Sequence, residues 1–142
     1  MNCKLIAKII GALLLFEAIL MALCLIPGVC FNESLQGFLY AMGLTAGTGL
    51  IISFIFRNTK QNLGKKEGYF IVGTVWLIFS LFGALPFLFS ENSTTFVDAF
   101  FESMSGFTTT GATIFKDIEI LSKQIILWRS LMQWIGGMEA IA

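Results

Sequence analysis

The stretch from residue 100 to residue 113 reads F-F-E-S-M-S-G-F-T-T-T-G-A-T and lies between two apolar segments. Its three consecutive threonines are β-branched and continue a helix poorly, and Gly111 allows backbone angles that other residues resist. We therefore predict an extended segment whose carbonyl and hydroxyl groups have no helical partners. At membrane depth, such a segment is tolerated only where it is buried in protein or lines a water-filled path. Because filters in channels use rings of backbone carbonyls to replace an ion's hydration shell, we interpret this stretch as a re-entrant pore loop with a selectivity filter.

The composition of the 142-residue chain indicates an integral membrane protein. Hydrophobic residues make up 56% of the chain, charged residues only 13%, and the mean hydropathy is +0.84; ordinary soluble domains are about half apolar or less. The formal net charge is zero, which gives no reason to expect a nucleic-acid partner. Histidine, the commonest general base and transition-metal ligand, is absent. We therefore expect neither an enzymatic activity nor a cofactor.

Three apolar spans, each long enough to cross a bilayer core of about 30 Å, are followed by a fourth that is still running at the end of the sequence and is expected to be incomplete. They cover residues 5–26, 35–56, 69–89 and 124–142, and the first is expected to end at Pro27 and Gly28. Pro86 should kink or end the third span. The spacing of Gly43 and Gly47 in the second span predicts a close helix contact. Taken together, the spans predict an all-α integral membrane fold.

Glu17 lies near the middle of the first span, where an ionisable side chain is costly and normally has a partner. Two interpretations are open: a carboxylate linked to proton or ion movement, and a carboxylate that is hydrogen-bonded to a neighbouring helix. We favour the hydrogen-bonded carboxylate.

A half-length helix is predicted at residues 96–105, where about ten residues would extend some 15 Å, half of a bilayer core. Thr95 and Asp98 resemble a helix-capping pair. Asp98 and Glu102 are four residues apart and share a helix face, so we expect them to anchor the loop and attract cations rather than to perform acid–base chemistry. A surface amphipathic helix is the alternative, but its polar face should be rich in Lys and Arg.

The sequences D-A-F-F-E-S-M-S-G-F-T-T-T-G-A-T (98–113) and W-R-S-L-M-Q-W-I-G-G-M (128–138) resemble the first pore repeat of TrkH-type subunits in the Trk/Ktr/HKT superfamily of potassium transporters. The resemblance implies potassium uptake through a pore that four such units surround. It also implies a homodimer and control by a cytoplasmic nucleotide-binding regulatory subunit. Asp98 and Glu102 would support the pore helix. The ion-binding filter residues would be Thr108, Thr109, Thr110, Gly111 and Ala112, with potassium at Thr109 and Thr110.

Gly111 is expected to be the sole conformationally permissive residue of this filter, because Thr113 takes the place of the second glycine in the T-V-G-Y-G filter of potassium channels. In the last span, Trp128 and Trp134 suit a membrane-interface belt. Arg129 should snorkel or pair there. The Gly136–Gly137 pair would allow close approach of another helix.

The distribution of basic residues predicts the orientation in the cytoplasmic membrane. Lys4 and Lys8 are near the N-terminus, and Arg57, Lys60, Lys65 and Lys66 form a second cluster. The positive-inside rule places both clusters in the cytoplasm, so the filter opens to the outside. We divide the chain into residues 1–66, two leading helices and a basic linker, and residues 67–142, one helix–pore loop–helix unit whose last helix is incomplete.

The end of the chain departs from the family pattern, because Glu139 follows the G-G-M sequence. We therefore expect a truncated or frame-shifted transporter, or an N-terminal fragment of one, that belongs to a potassium uptake system in contact with membrane lipid. A non-transporting structural or partner membrane fragment is the alternative. A membrane-embedded enzyme is a third hypothesis, and it lacks any catalytic constellation in the sequence.

Overall fold

The computed structural model of the chain describes residues 3–59, 65–91 and 94–141, without the side chains of residues 65–67 and 139–141. Within these ranges the chain forms seven α-helices and no strand, which confirms the predicted all-α class. The helices are α1 (Cys3–Leu23), α2 (Leu25–Cys30), α3 (Gln36–Ile55), α4 (Lys65–Gly83), α5 (Leu85–Leu88), α6 (Phe96–Phe107) and α7 (Lys123–Ile141).

Three of the helical segments are long and apolar enough to cross a membrane. They are Cys3–Cys30, Gln36–Ile55 and Gly68–Leu88, and they coincide with the first three spans expected from the sequence. Helix α7 occupies the position of the fourth span and begins at Lys123. The chain is therefore a multi-pass membrane protein. The boundary proposed between residues 66 and 67 falls in the first turn of α4, and the division into two parts stays a prediction.

Two of the spanning segments are interrupted by a helix break two or three residues before a proline. A proline ring in a continuous helix clashes with the carbonyl four residues earlier, and the chain leaves the helix at Cys24, before Pro27, and at Ala84, before Pro86. The expectation for Pro86 is confirmed. The expectation that the first span ends at Pro27 was wrong, because helix restarts with this proline in the first turn of α2, where no N–H donor is needed.

Helices α1 and α3 pack against each other through small residues. A Cβ atom added to Gly49 would lie 3.0 Å from the carbonyl oxygen of Gly11, so the two backbones approach closely at this point. Gly49 follows the buried Thr45 by one helical turn. By contrast, no described atom lies within 4 Å of a Cβ added to Gly43 or Gly47. The contact predicted at Gly43 and Gly47 was wrong, because α3 turns a different face toward α1.

Glu17 is buried where α1, α4 and α6 meet. A Cβ atom added to Gly83 would lie 3.2 Å from Glu17 Oε1 and 2.6 Å from Ser103 Oγ, so the glycine leaves room for both side chains. Neither carboxylate oxygen of Glu17 has a hydrogen-bond partner in the part of the chain that the structure describes. The favoured expectation of a hydrogen bond to a neighbouring helix was therefore wrong.

Candidate functional site

Helix α6 begins with the cap that the sequence predicts. The N–H group of Asp98 donates to Thr95 Oγ1 at 3.2 Å, and Thr95 Oγ1 in turn donates to Asp98 Oδ2 at 2.7 Å. The helix has 12 residues and ends at Phe107, two residues beyond the predicted end. At about 18 Å, it extends through little more than half of a bilayer core. Asp98 is therefore engaged at the N-terminal end of α6, away from the threonine segment.

The backbone N–H groups that follow α6 donate hydrogen bonds back to the last turn of that helix. The N–H groups of residues 108–111 donate to the carbonyls of Met104, Ser105 and Gly106 at distances between 2.9 and 3.4 Å. No described donor reaches the carbonyl oxygens of residues 108–111. An exposed backbone with satisfied donors and unpaired acceptors can bind cations, because carbonyl oxygens replace the water around an ion.

Two residues of this segment have positive φ angles. Gly111 has a φ of 74°, and no described atom lies within 4 Å of an added Cβ. A larger side chain would therefore fit in the space, and it is the backbone angle that favours glycine at this position. Thr109 has φ 57°, a conformation that is rare for a β-branched residue and costs about 1–2 kcal/mol. Gly111 takes its angle without this cost, whereas the positive φ of Thr109 was not expected from the sequence. Strained backbone of this kind clusters at functional sites.

The five predicted filter residues, Thr108 to Ala112, form one continuous exposed segment. Thr108 Oγ1 donates to the Met104 carbonyl at 2.7 Å and lies 2.8 Å from Thr110 Oγ1. The carbonyl of Ala112 differs from those before it, because it accepts a hydrogen bond from Ser105 Oγ at 2.6 Å. That potassium binds at Thr109 and Thr110 stays a prediction.

Glu102 holds the far end of the threonine segment. Its carboxylate accepts the Thr113 hydroxyl at 3.0 and 3.1 Å and the Ile114 N–H at 3.0 Å. It also pairs with Arg129 of α7, whose Nε lies 2.5 Å from Glu102 Oε1. The side chain of Glu102 is 1% exposed and that of Arg129 11%. Charge-assisted bonds of this kind are stronger than neutral ones, so Glu102 ties the loop to both α6 and α7.

Trp128 of α7 lies in the core rather than in the interface belt expected from the sequence. It is fully buried, and its Nε1 donates to the carbonyl of Gly83 at 3.0 Å. In a continuous helix, that carbonyl would accept from Phe87, whose N–H instead donates to Ala84 because the helix is broken there. The expectation was therefore wrong for Trp128, whereas Trp134 is exposed.

Helix α7 crosses the C-terminal end of α6 at Gly136. A Cβ atom at this position would collide with the backbone carbonyl of Phe107, the last residue of α6. A Cβ atom on Gly137 would lie 4.0 Å from Thr109 Cγ2, an ordinary contact distance. The predicted close approach at this glycine pair is confirmed, and it places α7 directly behind the start of the threonine segment.

Curated relatives match the chain along nearly its whole length. It is 34% identical over 140 residues to the Trk system potassium uptake protein TrkH of Halomonas elongata, covering 97% of this chain and 29% of the relative. It is 35% identical over 143 residues to the protein of the same name from Escherichia coli, covering 99% of this chain and 30% of the relative. The chain thus spans about 30% of the length of these curated relatives.

The fold matches a solved structure equally well. The crystal structure of the potassium transporter TrkH from Vibrio parahaemolyticus superposes with a TM-score of 0.93 at 32% sequence identity, covering 99% of this chain and 31% of that chain. The TrkH family model, described as a cation transport protein, matches residues 32–142, which include α6, the threonine segment and α7. These three agreements, in family model, sequence and fold, mean that the chain belongs to the TrkH family of cation transport proteins.

Proposed function

We propose that this chain supplies one pore loop of a potassium uptake transporter in the cytoplasmic membrane. The observation that carries the proposal is the backbone of residues 108–111. Its N–H groups donate to carbonyls of α6, and its own carbonyls accept no hydrogen bond from a described donor. Exposed carbonyls of this kind suit a dehydrated cation. Relatives whose names state potassium uptake support potassium as the ion.

In this proposal the carbonyls of Thr109 and Thr110 lie nearest to the ion, and those of Thr108 and Gly111 complete this chain's contribution. The Ala112 carbonyl, which accepts from Ser105 Oγ, fixes the end of the segment instead. Positive φ angles at Thr109 and Gly111 support this choice, because they reorient successive peptide groups within a short segment. Potassium is the transported substrate. The proposal includes neither a cofactor nor an enzymatic step.

A single segment cannot surround an ion, so further pore loops are required. We propose that they come from additional polypeptide, since the curated relatives are about three times as long as the segment that matches this chain. The same proposal includes the family's homodimer and its cytoplasmic nucleotide-binding regulatory subunit. A non-transporting structural or partner role for the chain alone is the second candidate, because one threonine segment cannot surround an ion.

The orientation in this proposal follows from charge. Lys8 and Arg57 lie together at one end of α1 and α3, where Lys8 Nζ donates to the Arg57 carbonyl. The remaining basic residues follow Arg57 in the sequence, and the positive-inside rule assigns this end to the cytoplasm. The N-terminus is then cytoplasmic, and the threonine segment opens toward the outside, as uptake requires.

A chimera tests the transport proposal. The matched part of E. coli TrkH is replaced by this chain, and the chimera is expressed in E. coli cells that lack potassium uptake systems. We expect growth at low potassium with the unmodified chimera and with Thr108→Ser, which keeps the hydroxyl that donates to Met104. Gly111→Ser should reduce growth and potassium-over-sodium selectivity strongly, because serine resists a φ of 74°.

Wild-type potassium affinity and selectivity in the Gly111→Ser chimera would contradict the assignment of this segment as the filter. The 142-residue chain expressed alone should not support growth at low potassium, since it contributes one pore loop. Growth with the chain alone would instead show that copies of it assemble into a complete pore.

A further inference from the structure

The basic residues that set the orientation also form a surface at one end of the helices. Helices α1 and α3 run antiparallel, and Lys8 Nζ donates to the carbonyl of Arg57 at 3.3 Å. A cation at a helix C-terminus stabilises the partial negative charge there, so this bond joins the two helix ends. Lys4 is exposed one helical turn before Lys8, and the Arg57 side chain is exposed as well.

The charge at this end is strongly positive. In the sequence, residues 56–68 carry Arg57, Lys60, Lys65 and Lys66 against the single acid Glu67. The described cations at this end of the helices are Lys4, Lys8 and Arg57. The side chains of residues 60–67 lie outside the described part, so the geometry is taken from Lys4, Lys8 and Arg57 alone. These three cations are enough to define a surface that attracts anions.

An exposed apolar strip begins directly beside these cations. Phe54 is 73% exposed, and Ile51 and Ile55, which lie near it on α3, are exposed as well. The Arg57 guanidinium carbon lies 6.0 Å from the centroid of the Phe54 ring. Because α3 is long and apolar enough to cross a membrane, this strip is suited to acyl chains, and the cations stand at headgroup level.

We propose that this end of the chain binds an anionic phospholipid, with the phosphate between Lys4 and Arg57 and the acyl chains along Ile51, Phe54 and Ile55. An anionic amphiphile can bind the cations through its headgroup and cover the apolar strip with its acyl chains. A soluble acidic protein would match the cations but would leave the apolar strip uncovered. Basic clusters next to a membrane helix bind anionic lipid with roughly 5-fold gain in affinity for each cation. This inference does not depend on the proposed transport function.

Native mass spectrometry of the purified chain in detergent tests the inference, with equimolar phosphatidylglycerol and phosphatidylcholine as probes. The wild-type chain should retain more phosphatidylglycerol than phosphatidylcholine. The double variant Lys4→Gln/Arg57→Gln should reduce that preference by roughly 25-fold. It keeps Lys8 and the Arg57 carbonyl, so the bond between the helix ends is preserved. The matched control Lys116→Gln/Lys123→Gln removes two exposed lysines outside the basic end and should change the preference less than about twofold.

Three results would overturn the proposal: equal retention of both lipids by the wild-type chain, an unchanged preference in the double variant, or an equal loss in the control. Equal retention of the two lipids would favour a soluble acidic protein as the partner of the basic end. A salt titration of the wild-type chain gives an independent measurement that needs no variant. The phosphatidylglycerol preference should fall as ionic strength rises from 0.01 M to 1 M, over which the Debye length shrinks from about 30 to about 3 Å. A preference that is independent of salt would also contradict the proposal.

Discussion

The ion pair between Glu102 and Arg129 determines how firmly the threonine segment is held. Glu102→Gln preserves the size of the side chain but removes the charge that faces Arg129 at 2.5 Å. Both side chains are largely out of water, and removing one partner of a buried pair costs about 3–5 kcal/mol. Glutamine can still accept a bond from Thr113 or Ile114, so we expect a loss of about 3 kcal/mol. For a chain of this size that loss lowers the melting temperature by roughly 10 °C.

A thiol-reactive assay measures this change. Cys24 is a free cysteine that is fully buried, whereas Cys3 and Cys30 are exposed. In a background with Cys3→Ser and Cys30→Ser, a fluorogenic maleimide should react with Cys24 only when heating opens the core. The temperature at which fluorescence rises then reports unfolding of the chain in detergent.

A double-mutant cycle with Arg129→Gln distinguishes the pair from its surroundings. The variant with both substitutions should be more stable than the sum of the two single losses predicts, by about 1–3 kcal/mol, because no unpaired charge is left. Glu119→Gln, which changes an exposed acid, is the control and should leave the melting temperature unchanged. Additive losses, or a melting temperature for Glu102→Gln equal to that of the control, would refute the reasoning.

Two further predictions concern packing and orientation. Gly136→Ala should destabilise the chain by about 1–3 kcal/mol, because its Cβ meets the Phe107 carbonyl. Gly137→Ala, whose Cβ would meet Thr109 Cγ2 only at an ordinary contact distance of 4.0 Å, should be neutral or stabilising by up to about 1 kcal/mol. Equal thermal shifts for the two variants would contradict the packing. In intact cells, a membrane-impermeant maleimide should label Cys30, and it should label Cys3 only after permeabilisation. The reverse pattern would invert the proposed orientation.

Local features of this protein were predictable because each depends on residues close together in the chain. The cap formed by Thr95 and Asp98 lies within four residues, and the break before Pro86 follows from the shape of one ring. The first three spans follow from runs of apolar residues about as long as a bilayer is thick. The threonine segment could be located for the same reason, since β-branched residues before a glycine end the helix that precedes them.

Features that depend on contacts between helices could not be predicted in this way. Glu102 and Arg129 are partners only because α7 folds back against α6. Trp128 donates to the Gly83 carbonyl only because the helix break at the end of α4 leaves that carbonyl available. Likewise, nothing in three consecutive threonines shows that Thr109 takes the positive φ. The sequence by itself determined where the apolar spans and the threonine segment lie. The tertiary structure decided which face each helix turns inward, because a face is chosen by the shape and charge of the neighbours packed against it.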